Sequence, residues 1–427
     1  MRRRTLWTLL VVLAVAAPGR GQHEHHQHTD APPPPTWSLA DLERRLLERH
    51  PALAQAQADV RAAEGRRLQA GLLPNPIVGY TAEDIPIRGG AGDGQHGIFV
   101  SQEIPLGGKL RLSRDVAGTA LQQAGLAVER EKLRLLAALR ETFYALLAAE
   151  AEVDTGDRMV SLAQEVVEVT RQLYNTGLAD ASDQLAVENE AALLQADLAG
   201  ARSRLVGLWA ALAAAVGDPE LQPGVLAADL AADLPVLDRG EWHRKILTES
   251  PEVTLATLAL ARAEKILARE RAEPRPDLEI EAGVREDRGG PQDGDREVFA
   301  DVGVRLPLWN RNRGGIAAAE AEVAKARLSA DRVRLSLEAR FAAAWAKYSQ
   351  SSQRASAYQN GILDRARKAH QQLLAQYQNM TADYPQVLMA QRTLIQLETD
   401  SVRTLGRAWQ AAAAIQSLLA DEAQMSP

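Results

Sequence analysis

Four of the eight histidines in this 427-residue chain lie close together near its N-terminus. Neutral imidazoles at this density bind soft or borderline divalent cations, so the segment is a candidate metal-binding tail. A flexible segment without a ligand explains the same residues, and the sequence leaves both interpretations open. The histidines of this tail are His23, His25, His26 and His28.

The rest of the sequence offers little catalytic chemistry. The chain contains no cysteine, which excludes disulfides, thiolate metal sites and thiol catalysis. It also lacks a Ser-His-Asp set, a His-x-x-x-His pair and a glycine loop of the kind that binds phosphate. We therefore expect neither an enzyme nor a bound cofactor.

The composition indicates an elongated helical protein. Aromatic residues make up 4% of the chain and charged residues 25%, and the segments rich in Ala, Leu, Glu, Arg and Gln are typical of long helices. The net charge of −7 gives no basic surface excess. Nucleic acid, which is bound mainly through Lys and Arg, is therefore excluded as a partner.

An export signal is predicted at the N-terminus. Three arginines, Arg2 to Arg4, precede an apolar run from Leu6 to Ala17, which is the layout of a secretory signal peptide. The run is shorter than the roughly 20 residues of a membrane-spanning helix, although an uncleaved anchor is the alternative. We expect residues 1–21 to be the signal peptide and residues 22–36 to be a His- and Pro-rich flexible tail.

The remainder of the chain consists of two copies of one unit. Arg88-Gly89-Gly90 recurs as Arg288-Gly289-Gly290 at an offset of 200 residues. Repetition at a fixed offset indicates a duplicated structure. The predicted domains are residues 37–216 for the first copy, 217–240 for a linker, 241–420 for the second copy and 421–427 for a C-terminal tail.

Each copy is predicted to contain a helix, a strand hairpin, a long helix and a further helix. Prolines end the first helix, which runs from Ser38 to about Gly71. Long helices are expected at Leu110 to Leu173 and Ile316 to Gln376, each roughly 90 to 100 Å in length. Gly177 and Asn379 are expected to close these helices in the left-handed conformation.

The strands of the second copy alternate between apolar and polar residues, a pattern that suits lipid on one face and water on the other. A soluble hairpin is the alternative. Four strands per chain cannot close a membrane barrel, which needs at least about eight, so we expect a homotrimer with a twelve-stranded barrel. The residues expected to face its water-filled lumen are Glu279, Glu281, Arg285, Asp301 and Arg305.

Four further segments combine proline, glycine and asparagine at characteristic spacings. They are Leu72-Leu73-Pro74-Asn75-Pro76, Ile104-Pro105-Leu106-Gly107-Gly108-Lys109, Tyr174-Asn175-Thr176-Gly177 and Val216-Gly217-Asp218-Pro219. Together they resemble the motifs of TolC-like outer-membrane efflux factors, and the resemblance extends from about Trp37 to Leu419. Within that family the sequence is most similar to the CzcC-like heavy-metal efflux branch, because of its His-rich tail, short linker and short C-terminus.

The resemblance implies a mainly α protein with a small membrane β-barrel, in which long antiparallel helical hairpins form an α-barrel. It implies a homotrimer in the outer membrane of a Gram-negative bacterium, with a long periplasmic portion. The implied partners are a periplasmic adaptor, an inner-membrane pump of the RND type and outer-membrane lipid. The implied function is the exit duct of a tripartite efflux system, with heavy-metal cations as the expected cargo.

Acidic residues constrict the tunnel at the periplasmic tip in this family. Asp183 matches that pattern and Asp180 lies beside it, whereas in the second copy Gln386 takes the matching place and Asp383 is only nearby. Helix capping explains Asp180 equally well. The adaptor is expected to dock at the hairpin tips, although a tyrosine there can equally serve packing. The tip residues are Tyr174, Asn175, Thr176, Gly177, Tyr377, Asn379 and Met380.

Other functions stay open at this point. Export of drugs or organic compounds, or type I protein secretion, would use the same kind of duct, because the pump selects the cargo. A periplasmic coiled-coil adaptor would also carry an export signal and a long helical hairpin. An adaptor should contain one such hairpin between small β domains, whereas this sequence contains the hairpin twice.

Overall fold

The computed structural model describes residues 35–85, 87, 93–231, 234–289 and 294–419. The predicted signal peptide, the four clustered histidines and the predicted C-terminal tail lie outside these residues. Within the described part of the chain, no helix is both long enough and apolar enough to cross a membrane.

The first half of the chain contains short helices, one strand hairpin and one long helical hairpin. Its elements are β1 Thr36–Trp37, α1 Leu39–Arg49, α2 Pro51–Gln69, β2 Ile77–Glu83, β3 Gly94–Ile104, α3 Lys109–Asn175 and α4 Ala181–Val216. The single helix predicted from Ser38 to Gly71 is thus two helices. His50 keeps an extended backbone with ψ 123° between them, because the residue before a proline disfavours the helical region.

The second half follows the same order. Its elements are β4 Val225–Leu226, α5 Arg239–Glu249, α6 Pro251–Ala272, β5 Leu278–Arg288, β6 Arg296–Val304, α7 Arg313–Ala357, α8 Leu363–Gln378 and α9 Tyr384–Gln416. The long helix predicted from Ile316 to Gln376 is interrupted by a π-helical turn at Tyr358–Ile362. Gly361 there has φ 117°, a value that a residue with a Cβ rarely adopts, so the helix axis is broken at this point.

One antiparallel sheet combines the strand hairpins of both halves in the order β2-β3-β5-β6. The central pair, β3 and β5, joins the two halves in register from Gly94 opposite Arg288 to Ile104 opposite Leu278. At the helix end of the sheet, Lys109 Nζ donates to Asp277 Oδ2 at 2.6 Å, which fixes the start of α3 to the start of β5. The sheet and the helices therefore form one connected body.

Among the described residues, three hydrophobic clusters hold the helices together. The largest joins α1, α3, α4 and α9 around the fully buried Leu46, Leu139 and Leu212. A second joins α5, α7 and α9 around Phe341. The third lies near the ends of the helical hairpins and contains Val166, Val187, Leu374, Tyr377 and Val387. Since the third cluster takes residues from both halves, the two helical hairpins pack against each other near their tips.

Candidate functional site

The four-stranded sheet has one polar face and one apolar face, which follows from the alternation of side chains along a strand. The polar face carries Glu279, Glu281, Arg285 and Asp301, four of the five residues predicted to line a lumen, and the strand register places Glu281 directly opposite Asp301. Arg305, the fifth, follows the last residue of β6 and is exposed.

The polar face is acidic on the side nearest the helices. Glu103 pairs across the strands with Glu279, and Glu281 pairs with Asp301. None of these four carboxylates forms an ion pair within the described residues, so like charges lie side by side. Such pairs are destabilising unless water or cations screen them. Glu103 was not among the residues predicted to face the lumen, although it lies in β3 directly opposite Glu279.

Nearer the hairpin loops, the polar face becomes mixed in charge. Arg285 Nε donates to Glu297 Oε2 at 3.2 Å, and its Nη1 lies 4.0 Å from Glu83 Oε2. The same guanidinium lies 5.6 Å from the centre of the Phe299 ring. The positive charge of Arg285 is therefore balanced by neighbouring carboxylates, whereas the acidic residues on the helix side have no such partner within the described residues.

The apolar face is exposed along its length. Val298 is 83% exposed, Val78 74% and Val302 69%, and Tyr80, Ile98 and Val284 share this face. An apolar surface of this extent in water is typical of a surface that contacts lipid or another protein.

The first helical tip lies between α3 and α4 and is closed by a glycine. Gly177 has φ 75°, and its backbone N donates to the carbonyl of Tyr174 at 2.9 Å, while Leu178 N donates to Leu173 O at 2.8 Å. This pair of hydrogen bonds is the Schellman motif, which requires the left-handed residue. Tyr174, Asn175 and Thr176 are exposed at this tip.

The second tip, between α8 and α9, has the same hydrogen bonds with a different residue at the turn. Met380 has φ 56° and donates to Tyr377 O, while Thr381 N donates to Gln376 O at 2.8 Å. Asn379 has φ −93°, so the prediction that Asn379 is the left-handed residue is wrong. The helix continues to Gln378, and its closing residue moves to Met380 accordingly.

The acidic residues at the tips occupy helix starts. Asp180 caps α4 by accepting hydrogen bonds from the backbone N of Ser182 and Asp183 at 2.8 and 3.0 Å. The Ser182 hydroxyl and these amides lower the pKa of Asp180. Asp183 is half-buried in the first turn of α4. Asp383 precedes α9 and makes no capping hydrogen bond with its side chain.

Tyr377 lies inside the contact between the two hairpins and is only 7% exposed, in contrast to Tyr174 at 43%. Its hydroxyl is 3.5 Å from the hydroxyl of Thr170 on α3. Burial raises the pKa of Tyr377, and the charge of Asp183 raises it further. Of the predicted tip residues, Tyr377 is therefore buried between the hairpins, while Tyr174 stays outside.

An ion pair connects the hairpins near the tips. Arg392 on α9 donates to Oε2 of Glu190 on α4 at 2.7 Å, and the Glu190 side chain is 13% exposed. Neither residue was identified from the sequence. They are 202 residues apart, which is close to the offset between the two copies. A comparison of the two copies could therefore have indicated this pair.

The chain has a sheet with an apolar face at one end and the tips of long helical hairpins at the other end. These are the parts of a membrane duct that extends into a water-filled compartment. The model of the outer membrane efflux protein family matches residues 42–218 and 242–421. The chain therefore belongs to the outer membrane efflux protein family.

Similar proteins include the cobalt-zinc-cadmium resistance protein CzcC of Cupriavidus metallidurans. That protein is 27% identical over 369 residues, which are 86% of each chain. The nickel-cobalt-cadmium resistance protein NccC of Alcaligenes xylosoxydans xylosoxydans is 29% identical over 292 residues, 68% of this chain and 65% of that protein. The structure of the outer membrane protein VceC from Vibrio cholerae superposes with a TM-score of 0.75 at 19% identity, covering 89% of this chain and 95% of VceC.

These comparisons confirm the predicted family and the predicted fold, in which long helical hairpins are joined to a small β portion. They also confirm an outer-membrane efflux channel with a long helical periplasmic portion. The strands are accordingly the membrane part of the chain, and the tips of the helical hairpins lie at its far periplasmic end.

Proposed function

We propose that three copies of this chain close their sheets into one twelve-stranded cylinder. Within the described residues, the sheet ends in two edge strands, β2 and β6, that have a partner on one side only. Unpaired edge groups in lipid are strongly unfavourable. Pairing β6 of one copy with β2 of the next satisfies both edges. The apolar face then contacts lipid and the polar face lines a lumen.

Heavy-metal cations are the proposed cargo. The observation that best supports them is the group of carboxylates on the polar face that form no ion pair within the described residues. Glu103, Glu279, Glu281 and Asp301 would contribute twelve carboxylates to one lumen in a trimer. Rings of carboxylates favour cations and repel anions. The names of CzcC and NccC, which are resistance proteins for cobalt, zinc, cadmium and nickel, support the same cargo.

The helical tips are the proposed docking site for a periplasmic adaptor that connects the duct to an RND-type pump in the inner membrane. Exposed backbone and side chains at Tyr174, Asn175, Thr176, Gly177, Asn379 and Met380 support this role. The buried Tyr377 supports docking only indirectly, by holding the two hairpins together. A Cys at Thr176 should form a disulfide with a Cys on the adaptor. Failure at every tip position would contradict tip docking.

Asp183 is the proposed gate residue, together with Asp180 at the start of the same helix and Asp383 at the start of α9. Three Asp183 side chains would form a ring at the narrow end of the tunnel in a trimer. The charge of Asp183 contributes to the raised pKa of the Tyr377 hydroxyl, which connects the proposed ring to the contact between the hairpins. In this proposal the protein conducts its cargo passively and without a cofactor, and it is not an enzyme.

Deletion of the gene tests the cargo. Cells that lack the protein should become sensitive to zinc, cobalt or cadmium, and the intact gene should restore resistance. A second variant tests the carboxylates of the polar face. With Glu103, Glu279, Glu281 and Asp301 all replaced by Gln or Asn, the gene should restore resistance less well than the intact gene. Sensitivity to dyes, detergents or organic compounds alone, or loss of protein secretion alone, would contradict the heavy-metal proposal and favour those cargoes.

A further inference from the structure

Glycine and phenylalanine alternate across the polar face of the sheet at one level. The register places Gly79 of β2 opposite Phe99 of β3, Phe99 opposite Gly283 of β5, and Gly283 opposite Phe299 of β6. We call these four residues the glycine–phenylalanine belt. The chain contains only four phenylalanines, so half of them lie at this level.

Both rings lie along the wall of the sheet, over a glycine of the preceding strand. A Cβ built on Gly79 would lie 2.5 Å from Cε1 of Phe99, and a Cβ built on Gly283 would lie 2.6 Å from Cζ of Phe299. Any other residue at either position would therefore occupy the space of the ring. Each glycine makes room for the neighbouring aromatic side chain, an arrangement that stabilises glycine in a sheet.

The belt separates two chemically different parts of the polar face. On the helix side lie the unpaired Glu281 and Asp301, and on the loop side lie Arg285 and Glu297 in an ion pair. The belt itself carries no charge. Its four positions leave only a thin layer of side chains on the wall, because two have no side chain and two have side chains that lie along it.

We infer that the glycine–phenylalanine belt keeps the strand-lined lumen wide at its level, with Gly79 and Gly283 as positioning residues that keep Phe99 and Phe299 against the wall. The inference rests on the proposed trimeric closure, in which six rings would encircle the lumen at this level. Twelve strands give a backbone diameter of about 24 Å. Rings turned inward from all sides would narrow that opening by several ångström on each side.

The test uses access to a cysteine from outside the cell, because the natural chain has none. Glu281→Cys places a thiol on the helix side of the belt, and Glu297→Cys places one on the loop side. Intact cells are treated with maleimides attached to polyethylene glycol of increasing size, and the labelling rates are compared. Labelling from outside does not depend on whether the helical tips are open, so the periplasmic gate does not limit the measurement.

The diagnostic change is Gly79→Val, whose side chain would take the place of the Phe99 ring and turn that ring into the lumen. Gly283 is less suitable, since a Cβ there would also collide with the backbone oxygen of Ile98. We expect labelling of Glu281→Cys by the largest reagent that enters the natural lumen to become at least threefold slower. Adding Phe99→Ala should restore the rate, and labelling of Glu297→Cys should stay unchanged throughout.

An unchanged rate at Glu281→Cys in the Gly79→Val background would overturn the inference, as would a slow rate that Phe99→Ala does not restore. If Gly79→Val does not assemble, Gly79→Ala decides, because its Cβ also takes the space of the Phe99 ring and should slow the same labelling; an unchanged rate would refute the inference. Absence of labelling at Glu281→Cys by even the smallest maleimide in the otherwise natural chain would instead contradict the proposed trimeric lumen.

Discussion

Replacing Arg392 by Gln is expected to loosen the contact between the two helical hairpins of a protomer. Nε and Nη2 of Arg392 donate to Glu190 Oε2 at 3.1 and 2.7 Å. A charge-assisted hydrogen bond to a covered carboxylate contributes about 1.5–3 kcal/mol. The Arg392 side chain is 60% exposed, and solvent lowers this contribution towards the value of a surface pair, about 1 kcal/mol. A loss of about 1 kcal/mol corresponds to a roughly fivefold increase in the population with separated hairpins.

Single-channel recording in a planar lipid bilayer measures this population as the fraction of time spent in the higher-conductance state. The matched control is the exchanged pair, Arg392→Glu with Glu190→Arg, which keeps opposite charges at the same positions. We expect the single variant to be open more often and the exchanged pair to return towards the natural value. The reasoning is refuted if Arg392→Gln leaves the open fraction unchanged, or if the exchanged pair is as open as the single variant.

Three further changes have definite expected results. Asp183→Ala should raise the passive conductance and reduce the preference for cations in bilayer recordings, whereas unchanged conductance and selectivity would remove Asp183 from the gate. Burial, followed by the charge of Asp154, raises the pKa of Glu150 to about 7 from a usual value of 4.5. Between pH 4.5 and 7 the folded protein therefore holds this proton, while the unfolded chain has released it. The free energy of unfolding falls as the pH rises through this range. Glu150→Gln should flatten this fall in melting-temperature measurements, while Glu48→Gln, at an exposed position, should leave it in place. Leu212 is fully buried. Leu212→Ala should therefore cost about 2–5 kcal/mol of unfolding free energy in denaturant titrations, and Leu212→Met should cost less than about 1.5 kcal/mol. Equal losses in the two variants would show that Leu212 is not tightly packed.

The duplicated order of helices and strands could be predicted because its signals are local. Alternation from Leu278 to Arg285 indicates a strand with two different faces, and Gly177 closes α3 because its backbone needs a left-handed residue. The break before Pro51 was missed, although its signal is equally local. The break at Gly361 was missed because an isolated glycine in a helical pattern is compatible with an uninterrupted helix.

The candidate site was harder to predict because it depends on contacts between the copies. The exposure of Tyr174 and the burial of Tyr377 follow from how the hairpins pack, although both residues have the same place in their own copy. Met380 replaced Asn379 as the left-handed residue because hydrogen bonds extend α8 to Gln378. Glu190 with Arg392, and Phe99 with Phe299, have separations close to the repeat offset, so a systematic comparison of the copies would have found them.

Export of metal cations is measured most directly by loading cells with radioactive zinc or cobalt and following the metal that they retain. Cells that lack this protein should retain several times more metal than cells with the intact gene, and the difference should disappear when the gene is returned. Equal retention with and without the protein, in cells that contain its pump and adaptor, would contradict a heavy-metal exit duct.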